Sequence, residues 1–216
     1  MARAAAAESV GVFALVFAGC GAVMVDAEQR ALGQPGVALA FGLVIMAMIY
    51  ALGHVSGAHL NPAVSLAFAL TRHFPARRLL AYWVAQVVGA LAAASVLRAS
   101  LGDVASLGAT LPAGSDGQAF LWETILTFLL MFVIMAVATD TRAVGEAAAL
   151  AIGGTVALGA LVGGPVSGAS LNPARSLGPA LVSGELRALW VYLAAPLLGA
   201  ALGAFAYQAV RGDPEL

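Results

Sequence analysis

The sequence predicts an all-α integral membrane protein of six transmembrane helices plus two re-entrant half-helices, arranged as an inverted repeat. Three observations predict it. Of the 216 residues, 62% are hydrophobic and 10% charged, with a mean hydropathy of +0.95, whereas a soluble domain is about 25% charged. Six stretches are apolar over about the 20 residues that a bilayer crossing takes. A phrase also occurs twice. Residues 53–70 read GHVSGAHLNPAVSLAFAL and residues 164–181 read GPVSGASLNPARSLGPAL, identical at 13 of 18 positions and 111 residues apart.

The spans are expected at 8–26, 36–54, 79–98, 119–139, 146–163 and 188–210. The first apolar run continues too far for a cleavable leader and has no convincing cleavage site, so it reads as a span. Gly11, Gly19, Gly42, Gly89, Gly199 and Gly203 fall within spans, where small residues let helices approach closely in lipid. The connections are short except for 99–118, which is rich in turn formers such as Gly102, Asp103, Pro112 and Asp116.

The half-helices follow from what is left over. Between Arg30 and Arg72 there is no Asp, Glu, Lys or Arg. That is too much apolar chain for one span and too little for two plus a loop, so a full span followed by a half-span fits. The same holds for 147–174 followed by 176–184. Asn61 and Asn172 are good N-caps, and Pro62 and Pro173 sit at the first helical position, where a missing N–H costs nothing. Each half-helix runs to about residue 70 or 181, roughly 14 Å at 1.5 Å per residue. That is about half of a ~30 Å hydrocarbon core.

The repeat extends beyond the phrase. Glu8 and Phe13 in the first span have the spacing of Glu123 and Phe128 in the fourth, and Tyr82 and Gly89 match Tyr192 and Gly199. Residues 1–216 therefore read as a single channel domain of two repeats, about 1–103 and 116–216. Each repeat holds three spans, an odd number, so the second copy runs through the membrane upside down. Arg3, Arg72, Arg77, Arg78, Arg142 and Arg211 fall on one side, and Arg30, Arg98 and Arg187 on the other. The positive-inside rule then puts both termini in the cytoplasm, and the expected location is the plasma or inner membrane.

A net charge of −1 gives no basic surface for nucleic acid. The lone cysteine, Cys20, excludes an intrachain disulfide and reads as a small apolar packing residue. Irregular backbone at membrane depth persists only where protein buries it or water bathes it, so a water-filled path is expected beside the two Asn-Pro loops. Both half-helix N-termini aim the positive ends of their dipoles at it. Carbonyls of Gly53–Leu60 and Gly164–Leu171 are expected as acceptors. Asn61 and Asn172 are expected to cap their helices through the amide oxygen and turn the NH2 donor to the path. Neutral hydroxylic molecules can exchange their hydration for this ladder, while cations meet positive potential at its centre.

The paired boxes Asn61-Pro62-Ala63 and Asn172-Pro173-Ala174, at half-chain spacing among six spans, resemble the major intrinsic proteins, the aquaporin and aquaglyceroporin family. The resemblance covers essentially the whole chain. It implies one pore per subunit, no cofactor or metal, a lipid bilayer as surroundings, and a homotetramer. It places Arg175 in a narrow outer filter, where the first repeat has Val64, and carries the other filter positions onto Phe41, Ala160 and Ala169. Water-selective members carry His at the position of Ala160 and usually Thr or Cys at that of Ala169. Two alanines widen this filter and leave one side apolar. The strings AHLNPAVSLAFAL, ATDTRAVGE and GPVSGASLNPARSLGPALV resemble the nodulin-26-like branch and its bacterial relatives. That branch implies glycerol, urea, ammonia and neutral hydroxides of boron, silicon and arsenic as solutes. Phe41, rather than a very small residue, argues against the widest filter, the silicic-acid type.

Glu8 and Glu123 are read as carboxylates that accept loop N–H bonds and hold the re-entrant loops. His54 is placed with them as loop support, a pore-side or packing residue, with a pH gate as its alternative, and His59 as a structural residue beside the first box. His73 is expected to face solvent or headgroups. Inverted repeats also build ion-coupled transporters, but no acid or base remains for coupling once both glutamates are assigned to loops. No nucleophile–base pair, metal-ligand cluster or phosphate loop points to an enzyme. The expected function is a passive channel for small uncharged solutes (glycerol-like polyols, urea, arsenite or boric acid) and water, with a strictly water-selective pore as the alternative.

Overall fold

A computed structural model describes residues 1–140 and 147–212. Arg142, Glu146 and most of the string ATDTRAVGE lie outside those residues. In chain order the helices are α1 (Ala2–Gln29), α2 (Gly33–Ser56), α3 (Pro62–Leu70), α4 (Leu79–Leu101), α5 (Asp116–Thr139), α6 (Ala148–Ser167), α7 (Pro173–Ser183) and α8 (Leu189–Val210). Among the described residues, six helices are long and apolar enough to cross a membrane, and each overlaps one of the expected spans. The two short helices, α3 and α7, begin at the two Asn-Pro boxes.

One boundary differs from expectation in a way that matters for the site. α2 continues through Ser56 and α6 through Ser167, so the opening residues of each repeated phrase are helical rather than loop. Of their carbonyls, Gly53 O and Gly164 O accept from Gly57 N and Gly168 N, and Val166 O accepts from Ala113 N. The free re-entrant backbone shrinks to 57–60 and 168–171. The chain leaves the helix at Gly57 (φ 88°) and Gly168 (φ 83°), where glycine adopts the left-handed conformation at no steric cost.

The packing repeats with the sequence. α1 packs on α4 as α5 does on α8, α1 on α2 as α5 on α6, and α4 on α7 as α8 on α3, while α2 and α6 meet each other. Exchanging the two halves leaves this list unchanged, which is the signature of an inverted repeat closed about a pseudo-two-fold axis. Equivalent glycines permit the equivalent crossings. A Cβ on Gly89 would overlap the Ser9 carbonyl of α1, and one on Gly199 the Thr124 carbonyl of α5.

Both half-helices start as their sequence dictates. Asn61 (φ −160°) and Asn172 (φ −151°) are extended, and each side-chain oxygen accepts from the first free N–H beyond the proline, Ala63 at 2.9 Å and Ala174 at 3.0 Å. Asn172 also accepts from Arg175 N at 3.3 Å.

Candidate functional site

The loops before α3 and α7 carry left-handed non-glycine residues, Ala58, Leu60, Ala169 and Leu171, at φ 43–55°. Each such residue costs of order 1–3 kcal/mol, so surrounding structure must impose it. Two buried carboxylates do so. Glu8 of α1 accepts from His59 N (2.9 Å), Leu60 N (2.7 Å), Ser56 Oγ (2.7 Å) and Gln86 Nε2 (2.8 Å). Glu123 of α5 accepts from Ser170 N, Leu171 N and Ser167 Oγ, each at 2.8 Å. Ser56 and Ser167 in turn accept from Ala58 N and Ala169 N. Tyr82 and Tyr192 hydroxyls donate to the carbonyls of Ser56 and Ser167. Every strained peptide is thus tied to a helix of its own repeat.

The boxes are also tied across the repeat. Asn61 Nδ2 donates to Leu171 O at 2.7 Å, and Asn172 Nδ2 donates to Leu60 O at 2.8 Å. An amide nitrogen has two hydrogens, so each asparagine keeps one donor beyond this tie. Both asparagines line a cavity of about 130 Å³ that runs beside the loops. One wall is apolar, with Ile45, Ile49, Ile134, Ile152 and Val156. The loop residues 57–59 and 169–171 line it as well.

Phe41, Ala160, Ala169 and Arg175 come from α2, α6, a re-entrant loop and α7, yet all line this one cavity. The Arg175 guanidinium carbon lies 4.9 Å from the Phe41 ring centroid, a cation–π distance. Its Nη1 donates to Gly108 O at 2.8 Å, and its buried Nε has no protein partner. The cation is therefore fixed at one nitrogen and keeps donors for the lumen.

Several supporting residues were not foreseen from sequence. Gly108 ends four consecutive left-handed residues, Ala105 to Gly108, in what reads as a turn-rich connection. That segment packs Leu107 into the core and lays Gly108 against Cys20, which is a buried free thiol. Thr110 from the same segment bonds Ser176 Oγ at 2.7 Å, and Ser176 bonds Ser170. In the first repeat the matching serine, Ser65, is held by Gln86 Nε2 at 3.1 Å. Gln34 Nε2 donates to Ala160 O at 2.7 Å, joining α2 to α6 at that alanine. Polar residues at spans and turns signal these contacts only weakly, because each partner is distant in sequence.

His54 is corrected. It is exposed on α2, and none of the loop hydrogen bonds ends on it. It lies nine residues on from Ile45, two and a half turns at about 3.6 residues per turn, and so on the face opposite the cavity. The imidazole beside the first box is His59. Its Nδ1 lies 3.0 Å from Ser65 Oγ, and its ring packs among Phe68, Phe74 and Tyr82.

Six crossing helices around a cavity walled by two opposed half-helices define a membrane channel. The family model described as major intrinsic protein matches residues 1–207. The chain is 54% identical over 209 residues to aquaporin NIP1-1 of Oryza sativa subsp. japonica, covering 95% of this chain and 73% of that protein. It is 50% identical over 207 residues to nodulin-26 of Glycine max, covering 95% and 76%. The crystallographic aquaglyceroporin from Plasmodium falciparum superposes with a TM-score of 0.86 at 28% identity, covering 97% of this chain and 96% of that one. The chain belongs to the major intrinsic protein family, a family of channels.

Proposed function

We propose that the protein is a passive channel for water and small uncharged solutes, including glycerol-like polyols, urea and metalloid hydroxides such as arsenite or boric acid, and that it excludes ions and protons. One observation carries the solute range: beside Phe41 and Arg175 the cavity is lined by Ala160 and Ala169, whose side chains are single methyl groups. In this reading the four residues are the filter. The solved relative's title, an aquaglyceroporin, supports passage of a polyol.

A polyol fits the amphipathic lumen. Its carbons face Ile45, Ile134 and Val156 while its hydroxyls move along the loop carbonyls. At the boxes, the free Asn61 and Asn172 N–H groups donate to its oxygens, which can always accept. A cation there faces two helix N-termini and the Arg175 charge, and gains nothing for its lost hydration.

Residues 1–216 act as one channel unit. Its place is the cell membrane, with both termini cytoplasmic by the arginine asymmetry, and it assembles as a homotetramer. The test is stopped-flow permeability of proteoliposomes. Wild type is expected to pass glycerol or arsenite, and Ala160→His is expected to suppress that flux while keeping water flux. Wild-type liposomes that pass water but exclude glycerol, urea and arsenite alike would contradict the reading.

A further inference from the structure

The pore uses none of the charge beyond the C-terminal end of α3. Arg72, Arg77 and Arg78 are exposed there together with His73. No acidic residue occurs between Glu28 and Asp103. Among the described residues the ion pair is Arg98–Asp103, at the other end of α4. Three guanidinium groups thus stand close in sequence with no ion pair among the described residues.

The segment that carries them is tightly built. His73 N and Phe74 N both donate to Phe68 O, at 2.8 and 3.1 Å, and Arg72 is held left-handed at φ 64°. His73 Nδ1 lies 3.2 Å from Thr71 Oγ1. An open cavity of about 480 Å³ is bounded by Arg72, His73, Pro75 and Ala76. A short 3-10 turn, Ala76–Arg78, leads directly into α4, whose N-cap is Arg78 itself, with no side-chain cap bond.

From that point an apolar ridge leaves along the outside of α4. Leu80 (71% exposed), Val84 (55%) and Val88 (53%) share one face at four-residue steps. At 1.5 Å per residue the ridge is roughly 12 Å long, most of one leaflet of a ~30 Å hydrocarbon core. An unpaired cationic cluster therefore sits at the foot of an exposed apolar track.

We propose that this is a binding site for an anionic glycerophospholipid. The phosphate lies among Arg72, Arg77 and Arg78, and an acyl chain lies along Leu80, Val84 and Val88. Guanidinium groups offer paired donors to phosphate oxygens. Net negative headgroups are drawn to them over zwitterionic ones, which carry their own cation. A soluble phosphate ion has no use for the ridge, and a protein partner would have to enter hydrocarbon to reach it. The site is independent of which solutes the pore passes.

Trp83, half-buried between Leu80 and Val84 in sequence, provides the reporter. In a Trp122→Phe/Trp190→Phe background it is the sole tryptophan. The protein is reconstituted in phosphatidylcholine vesicles with a minor fraction of phosphatidylglycerol, with bromine on the tails of one lipid or the other. Brominated phosphatidylglycerol is expected to quench Trp83 at a mole fraction at least about threefold lower than brominated phosphatidylcholine, and rising salt is expected to shrink that preference. Arg72→Gln/Arg77→Gln/Arg78→Gln is expected to bring the ratio to about one. Arg3→Gln/Arg30→Gln/Arg187→Gln, the same charge change elsewhere, leaves it unchanged. Equal quenching by both lipids in wild type, a preference indifferent to salt, or one that survives the first triple substitution overturns the proposal. So does loss of the preference to glycerol 3-phosphate at constant ionic strength, which would make a soluble phosphate the ligand.

Discussion

Arg175 shows how one buried residue can be structural and still line the lumen. Its Nη1 bond to Gly108 and its stacking on Phe41 orient the group, while Nε stays unpartnered. A charge about 4 Å from a passing cation is worth about 4 kcal/mol at an effective dielectric of about 20. Arg175→Val, which copies Val64 of the first repeat, is therefore expected to raise cation conductance in planar bilayers at least about tenfold. The central helix dipoles remain as the residual barrier. Gln34 works at one remove. Without its bond to Ala160 O the α6 turn at the cavity is no longer fixed, and a polyol that fills the lumen suffers more than water. Gln34→Ala is expected to lower the glycerol-to-water permeability ratio about two- to fivefold, with Gln34→Glu, which cannot donate, behaving alike. Glu8→Gln and Glu123→Gln turn an NH2 group toward donors that need an acceptor. Losing charge-assisted bonds of about 1.5–3 kcal/mol each is expected to cost at least about 3 kcal/mol, read as a lower thermal unfolding midpoint in detergent. The sequence made Arg175 conspicuous, because it breaks an otherwise matching repeat. Gln34 and Gly108 stayed hidden, because their importance lies in partners 126 and 67 residues away.

At the scale of elements, the half-helices were readable because capping is local: an extended Asn followed by Pro has few other uses in an apolar run. Their supporting loops were readable only in part. The ends of α2 and α6 run past the expected boundary, α6 even through Pro165, and each stops at a left-handed glycine, Gly57 and Gly168. The orientation of His54 follows from that extension, and His59 takes the place by the box. The connection at 99–118 was legible as turns but not as a wall of the site, because its left-handed run at 105–108 is imposed by the tertiary contacts of Leu107 and Gly108. The helix crossings make an independent prediction. Gly89→Val and Gly199→Val place a side chain against a backbone carbonyl at equivalent crossings. Each is expected to destabilise by about 2–3 kcal/mol, as overpacking of a tight core does, and by similar amounts, checked by thermal unfolding of the two variants side by side.

For the whole molecule, two inverted copies make a path whose two halves present backbone acceptors and whose centre presents donors. The cross-ties Asn61–Leu171 and Asn172–Leu60 join the copies where the half-helices meet. The copies differ where selectivity needs asymmetry. Val64 is matched by Arg175, and Gln86 holds Ser65 where Thr110 holds Ser176. Fold class was the most legible level, because composition and an odd number of spans per repeat leave few arrangements open. Solute range rests on two alanines that line the cavity together with one arginine, and flux measures it directly. The decisive measurement is therefore stopped-flow permeability of proteoliposomes to water, glycerol, urea and arsenite, wild type beside Ala160→His. The account predicts glycerol or arsenite flux well above empty liposomes in wild type, suppressed by the histidine with water flux retained. Wild-type liposomes that pass water but none of the three solutes would contradict it.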